Sequence, residues 1–243
     1  MLKGLKKLLG TKKGKKSKKK EEEEKEKKEE KEKKEKDEII FKSILISLIG
    51  PSSVGKTAFF KVFKGKQIEK YCPTVCIDLC SSQNRTFILV DTCGTIKFYN
   101  ELILNPIIQR CHIFLYLYDD DPETYELKTI NQYIDIIKLA KEELAKKNKE
   151  IMNKLEEKCF FFMLEIKRRK EENNININID ETIEELNKLY SSNKYVFKYA
   201  GSMLLNNNSK GKIDCLLNKV INPETFEISK DVEKSDCYSY IKK

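Results

Sequence analysis

The chain has 243 residues, enough for one domain with a sizeable core and a tail or two. Charged residues make up 36% and hydrophobic ones 40%, and the formal net charge is +9, but these averages mix two unlike segments. Residues 1 to 20, "MLKGLKKLLGTKKGKKSKKK", hold ten Lys and no acid; the rest holds 38 Lys and Arg against 39 Asp and Glu, so the part expected to fold is near neutral and gives no electrostatic argument for a nucleic-acid-binding face.

Leu2, Leu5, Leu8 and Leu9 fall on one face of a helical wheel, with Lys on the other. Three readings of this segment stay open: an interfacial helix backed by a polybasic run that holds an anionic membrane surface, a nuclear-import or RNA-binding patch, and a solubilising tail. Residues 21 to 38, "EEEEKEKKEEKEKKEKDE", contain no apolar residue and have nothing to bury, so 1–38 reads as a solvated tail. Folding should begin at "IIFKSILISLIG", a β-branched apolar run that reads as a buried first strand. "TAFFKVFKG" follows as a short helix closed by Gly65. "VCIDLC" and "RTFILVD" are strand-like runs joined by "SSQN", a plausible hairpin. "CHIFLYLYD" and "CFFFMLEI" are further apolar runs of strand length, separated by a helical stretch over roughly 123–157. "DETIEELNKLYSSN" reads as a helix with an acidic first turn. "KYVFKYAG" is a last strand and "KIDCLLNKVI" a last helix, with Asn-rich loops at "NNNININID" and "LNNNS". From residue 222 the chain reads as irregular. Strands that alternate with helices and are apolar on both faces predict an α/β fold, with a six-stranded, mostly parallel sheet and helices on either side.

The eight Cys come without a secretory signal, and no apolar run is long and uncharged enough to span a bilayer. A reducing, cytoplasmic setting with free thiols is the expectation. Cys72, Cys76 and Cys80 recur every four residues, yet no CxxC pair exists and His112 is the only His, so a thiol metal site is the weaker reading.

"GPSSVGKT" fits G-x-x-x-x-G-K-[ST] at Gly50, Gly55, Lys56 and Thr57. Glycines let backbone N–H groups turn inward around phosphate oxygens. Lys56 brings positive charge to the β- and γ-phosphates, and the Thr57 hydroxyl suits Mg²⁺. The helix behind the loop adds its positive dipole end. "CPTVCIDL" then places Thr74 seventeen positions after Thr57, in a loop before a strand. "FILVDTCG" places Asp91 at the end of an apolar strand, with Gly94 just after it. An Asp there can hold Mg²⁺, and a Gly there can donate its N–H to a γ-phosphate.

In these segments the chain resembles the Ras-like small GTPases of the P-loop NTPase class, and the Rab branch most. "GPSSVGKT", "PTVCIDL" and "DTCGTIKF" are similar to the family's phosphate loop, first switch and second switch. "CHIFLYLYDDDPETYELKTINQYI" is similar to its fourth strand and following helix. The resemblance implies a Ras-like fold binding GTP or GDP with Mg²⁺. It implies nucleotide contacts from Gly50, Ser52, Ser53, Val54, Gly55, Lys56, Thr57 and Ala58. It further implies that Thr74 ligates the metal and touches the γ-phosphate, that Asp91 sits in the metal's outer shell, and that Gly94 meets the γ-phosphate. Effector and regulatory proteins are the partners it implies.

Four departures qualify the resemblance. Thr95 stands where the family has the Gln that orients the attacking water, so hydrolysis is expected to be slow or absent. In "FFMLEIKRRK", Lys167 matches the Lys of the guanine-reading motif, but Ile166 and Arg169 stand in place of Asn and Asp. Arg accepts no hydrogen bond, and a bond to a charged group is worth ~1.5–3 kcal/mol, so guanine selectivity should fall severely. The last base-contacting motif is reduced to "YAG", where Ala200 offers a backbone N–H. Cys237 is followed by "YSYIKK", which is no prenylation signal. The resulting expectation is a tail over 1–38, a Ras-like domain over 39–221 and an irregular extension over 222–243. The expected role is a Rab-like switch in membrane traffic, cytoplasmic, with peripheral membrane attachment through the tail as one option. The alternatives are a pseudo-GTPase that serves as a binding module and, more weakly, an unrelated P-loop ATPase or kinase.

Overall fold

The computed structural model describes residues 43–68, 74, 77–95, 105–147, 158–167, 179–190 and 195–226. The chain divides into two units, 1–43 and 44–243, and the second holds all the described helices and strands. The expected tail, Cys72, Cys76, Arg169 and Cys237 lie outside the described residues.

The elements run β1 (Ile44–Ile49), α1 (Lys56–Phe63), β2 (Asp78–Ser81), β3 (Phe87–Asp91), α2 (Pro106–Arg110), β4 (Ile113–Tyr118), α3 (Pro122–Tyr125), α4 (Leu127–Lys147), β5 (Cys159–Lys167), α5 (Ile179–Leu189), β6 (Tyr195–Leu204) and α6 (Lys210–Val220). The strands form one six-stranded sheet in the order β2-β3-β1-β4-β5-β6. The β2–β3 pair is antiparallel, as a hairpin requires, and every other pair is parallel. Parallel strands buried on both faces need apolar residues at every position. All of β4 and most of β3 and β5 meet that demand with IFLYLY, FILV and CFFFML.

On one face, Ile46, Leu48, Leu115, Phe162 and Leu164 pack with Phe59 and Val62 of α1 and Ile213, Leu216 and Leu217 of α6. On the other face, aromatic rings dominate. Phe161 stacks between Phe114 and Phe197, with ring centroids 5.1 and 4.9 Å away. Tyr133 of α4 meets Tyr116 edge-on at 5.6 Å. Among the described residues no helix is long and apolar enough to cross a membrane.

Three elements differ from the sequence reading. The helix expected from 123 opens instead with the short α3, and α4 starts at Leu127. Asp121 caps α3 by accepting from the Glu123 N–H at 3.1 Å, and the Tyr116 hydroxyl donates to the Thr124 carbonyl at 2.7 Å. These bonds tie the turn to β4 and leave Glu126 extended between the two helices. The helix α2 has no counterpart in the sequence reading. Its signal was available: Asn105 accepts from the Ile107 N–H at 2.9 Å, and Pro106 opens the first turn. The last strand runs to Leu204 rather than stopping near Gly201. Met163 pairs with Tyr199 but Leu164 pairs with Gly201, so Ala200 is an extra residue in a bulge. Gly201 takes a φ of 102° there and lets the strand continue. Among the thiols, Cys80, Cys93, Cys111 and Cys159 are free. Cys215 is disulfide-bonded, against the expectation of free thiols. Composition speaks to the compartment and not to which two thiols lie close.

β6 is an edge strand, and its outward backbone groups need partners. Asn187 of α5 supplies both at one residue. Its side chain donates to the Phe197 carbonyl at 3.0 Å and accepts from the Phe197 N–H at 2.9 Å. Asn187→Ala removes both partners from partly buried groups and should lower stability by about 1–3 kcal/mol. Urea unfolding of the variant checks this; an unchanged midpoint would mean that water replaces the side chain without loss.

Candidate functional site

The strand order reverses at β1. Its chain neighbours β2 and β3 lie on one side of it, and β4 lies on the other. In an open α/β sheet such a switch point leaves a crevice beyond the carboxyl ends of the strands, where ligands bind. The loop 50–55 sits there, between β1 and α1. A side chain at Gly50 would put its Cβ 2.3 Å from the Leu117 carbonyl oxygen, so only glycine lets the loop pass β4. The backbone then curls through positive φ at Gly50 (129°), Ser53 (68°) and Gly55 (100°). Val54 turns its side chain into the core, Ser52 and Ser53 are exposed, and Ala58 is half-buried in the first turn of α1.

Lys56 is the electrostatic centre. It is 5% exposed, and its ammonium donates to the Gly50 carbonyl at 2.7 Å and the Pro51 carbonyl at 2.6 Å. Burial pushes its pKa down to about 8, against an upward pull from Asp91. Asp91 ends β3 fully buried, and burial raises its pKa. Hydrogen bonds from Thr57 and Thr74 and the charge of Lys56 oppose that rise. The neighbouring Thr92 ties β3 to β1 by donating to the Leu48 carbonyl at 2.6 Å.

The residues expected to hold a metal come together. The hydroxyls of Thr57 and Thr74 lie 2.6 Å apart, and Thr74 donates to Asp91 Oδ2 at 3.2 Å. Asp91 Oδ1 is buried with no hydrogen-bond partner. An orphaned carboxylate oxygen beside two hydroxyls is a donor set that suits a hard cation such as Mg²⁺, so the residues present fit that ion. Among the described residues no group of three or more His, Cys, Asp or Glu is arranged to hold a metal.

Gly94 lies against the loop. A Cβ there would fall 2.5 Å from Lys56 Nζ, 2.7 Å from the Ser52 nitrogen and 2.8 Å from the Pro51 oxygen. That approach forbids any side chain and brings the 94–95 peptide beside the buried ammonium. Thr95 Oγ1 sits 3.2 Å from Ser52 Oγ, a hydroxyl pair across the mouth of the loop.

The residues expected to read the base are less well gathered. Lys167 is exposed at the end of β5, level with Leu204 of β6. Ala200 is not brought to that level. It lies in the bulge, 2% exposed within the core, short of the strand end. The residues nearest Gly55 are two to which the sequence assigned no contact. Ile166 Cγ2 and Leu205 Cδ2 lie 3.4 and 3.7 Å from where a Gly55 Cβ would stand. They put an apolar wall beside the 50–55 loop, with Ile166 4% exposed. Leu205 was hidden because the bulge moves the strand end past Gly201. The chain matches no protein-family model and no curated protein.

The buried Lys56 also makes stability depend on pH. Its folded-state pKa lies below the usual lysine value of 10.5, so below about 8 the fold carries the full cost of a buried charge. Between about 8 and 10.5 the unfolded chain holds the proton and the folded one does not, so stability rises with pH across that window. In ligand-free protein, Lys56→Met should therefore be more stable than wild type at neutral pH, and its advantage should shrink as pH climbs from 8 to 10.5. Urea unfolding of both proteins across that range reads the difference.

Proposed function

We propose that this chain is a divergent Ras-like, Rab-like nucleotide-binding protein, which binds GTP or GDP with Mg²⁺ in the crevice at β1 and acts as a switch in membrane traffic. The observation that carries the reading is the meeting of Thr57, Thr74 and Asp91 beside Lys56, from three separate segments of the chain. The strand order, with one antiparallel hairpin at its edge, is compatible with a Ras-like fold. Support for the Rab branch and for membrane traffic comes from the likeness of "GPSSVGKT", "PTVCIDL" and "DTCGTIKF" to that family.

In this reading the loop backbone and Lys56 bind the phosphates, and Thr57, Thr74 and Asp91 would hold Mg²⁺. That ion, when bound, neutralises phosphate charge. Gly94 brings its peptide to the terminal phosphate, so its fit depends on whether that phosphate is there, which is the requirement of a switch. The second reading, a binding module without a hydrolysis cycle, draws on Thr95. Its hydroxyl is paired with Ser52, and it is too short to accept from water and donate to phosphate as a Gln does.

Titration with labelled GTP and Mg²⁺ tests the binding reading. Lys56→Met should weaken binding at least tenfold, about 1.4 kcal/mol. The apolar wall of Ile166 and Leu205 has no donor or acceptor for a base edge, so ATP should compete with GTP far better than at a site with a carboxylate reader. Equal binding by variant and wild type would sink the assignment. A GTP preference beyond about a thousandfold, ~4 kcal/mol, would mean that other groups read the base.

Hydrolysis separates the two readings. Isolated protein should turn over at or below the intrinsic Ras level of ~3–5 × 10⁻⁴ s⁻¹. Thr95→Gln should raise the single-turnover rate if the protein is a switch that lacks only an oriented water. An unchanged rate favours the binding module, and fast turnover by unaided wild type contradicts both.

A further inference from the structure

Tyr133 lies on α4, far along the chain from the phosphate loop, and it is buried. Its ring is set edge-on against Tyr116, and its hydroxyl donates to the Gly94 carbonyl at 3.2 Å. The other end of the same peptide is held as well, because the Thr95 N–H donates to Cys93 Sγ at 3.4 Å. The 94–95 peptide is thus gripped at both its oxygen and its hydrogen, in a place where a Cβ on Gly94 would fall 2.5 Å from Lys56 Nζ.

The grip matters because of what Lys56 lacks. An ammonium has three N–H bonds, and the Gly50 and Pro51 carbonyls take two of them. A phosphate must use the third. The Gly94 carbonyl is one rival, since its residue borders the ammonium, yet its oxygen is turned to α4 and bonded there. We propose that Tyr133 is a positioning residue for the terminal phosphate: it holds the Gly94 carbonyl on α4, off Lys56, and so keeps the third ammonium hydrogen for the anion. This rests on the nucleotide reading of the site, in which Gly94 meets the terminal phosphate of a triphosphate and a diphosphate does not reach it. Freed, the carbonyl oxygen would take that hydrogen and set its partial negative charge against the terminal phosphate.

Tyr133→Phe removes the hydroxyl and leaves the ring on Tyr116. With Mg²⁺ present, the affinity for a non-hydrolysable GTP analogue should fall about threefold to tenfold, the effect of one neutral hydrogen bond. The affinity for GDP should stay within about twofold. In nucleotide-free protein the Thr95 amide should exchange its hydrogen faster in the variant, a readout that needs no nucleotide. A general loss of packing would weaken both nucleotides alike and leave the ratio unmoved. A fixed ratio, or one that moves while the Thr95 amide is unaffected, overturns the proposal. If wild type binds neither nucleotide, the reading of the site is overturned and the positioning role with it, even where the amide does respond.

Discussion

A buried ammonium whose hydrogen bonds go to two backbone carbonyls is the constraint on which the site depends. Lys56 gives up most of its hydration, and its depressed pKa records the cost. The fold accepts that cost at one place, the crevice where the sheet order turns at β1. The surrounding features each reduce it or make use of it. The loop bends its Gly50 and Pro51 carbonyls onto the charge. Asp91 supplies the opposite charge from β3, itself raised in pKa by the same lack of water. Two threonine hydroxyls lean on Asp91 from α1 and from the segment before β2. On the proposed reading, a metal-bound phosphate chain would bring an anion and a cation to this arrangement together.

The loop side of the candidate site is legible in the sequence because its chemistry is local. Gly50, Gly55, Lys56 and Thr57 are fixed by one turn of backbone, and the strand that precedes them and the helix that follows are strongly patterned. Thr74, Asp91 and Gly94 can be placed by spacing, because each ends or precedes an apolar strand. The strands themselves are plain from their continuous apolar runs, and so is the hairpin between β2 and β3.

What escapes is non-local. Tyr133 is one aromatic on the buried face of a long helix, and nothing near it in sequence marks it as a partner of Gly94. The break between α3 and α4 is set by Tyr116, a strand residue that reaches across to Thr124. Ala200 has the sequence signature of a loop residue because a glycine follows it, and glycine after an apolar run reads as an ending. In this sheet it marks a bulge, and the strand goes on. The side expected to read a base is illegible for that reason: Leu205, not Ala200, reaches the loop.

That bulge does more than lengthen a strand. Side chains along a strand alternate between faces, and one supernumerary residue inverts the alternation from there on. Before it, Val196 faces the α1 and α6 side, at an even position; after it, Met203 does, at an odd one. Leu205 inherits the inverted phase. The identity of the group that walls the 50–55 loop is therefore decided several residues upstream, by a change of step in the sheet. Were the strand to keep Ala200 but run without the bulge, Ser202 would stand opposite Ile166 and Leu204 would take the side that Leu205 now holds; excising Ala200 would instead straighten the strand and leave Met203 opposite Ile166 and Leu205 in place.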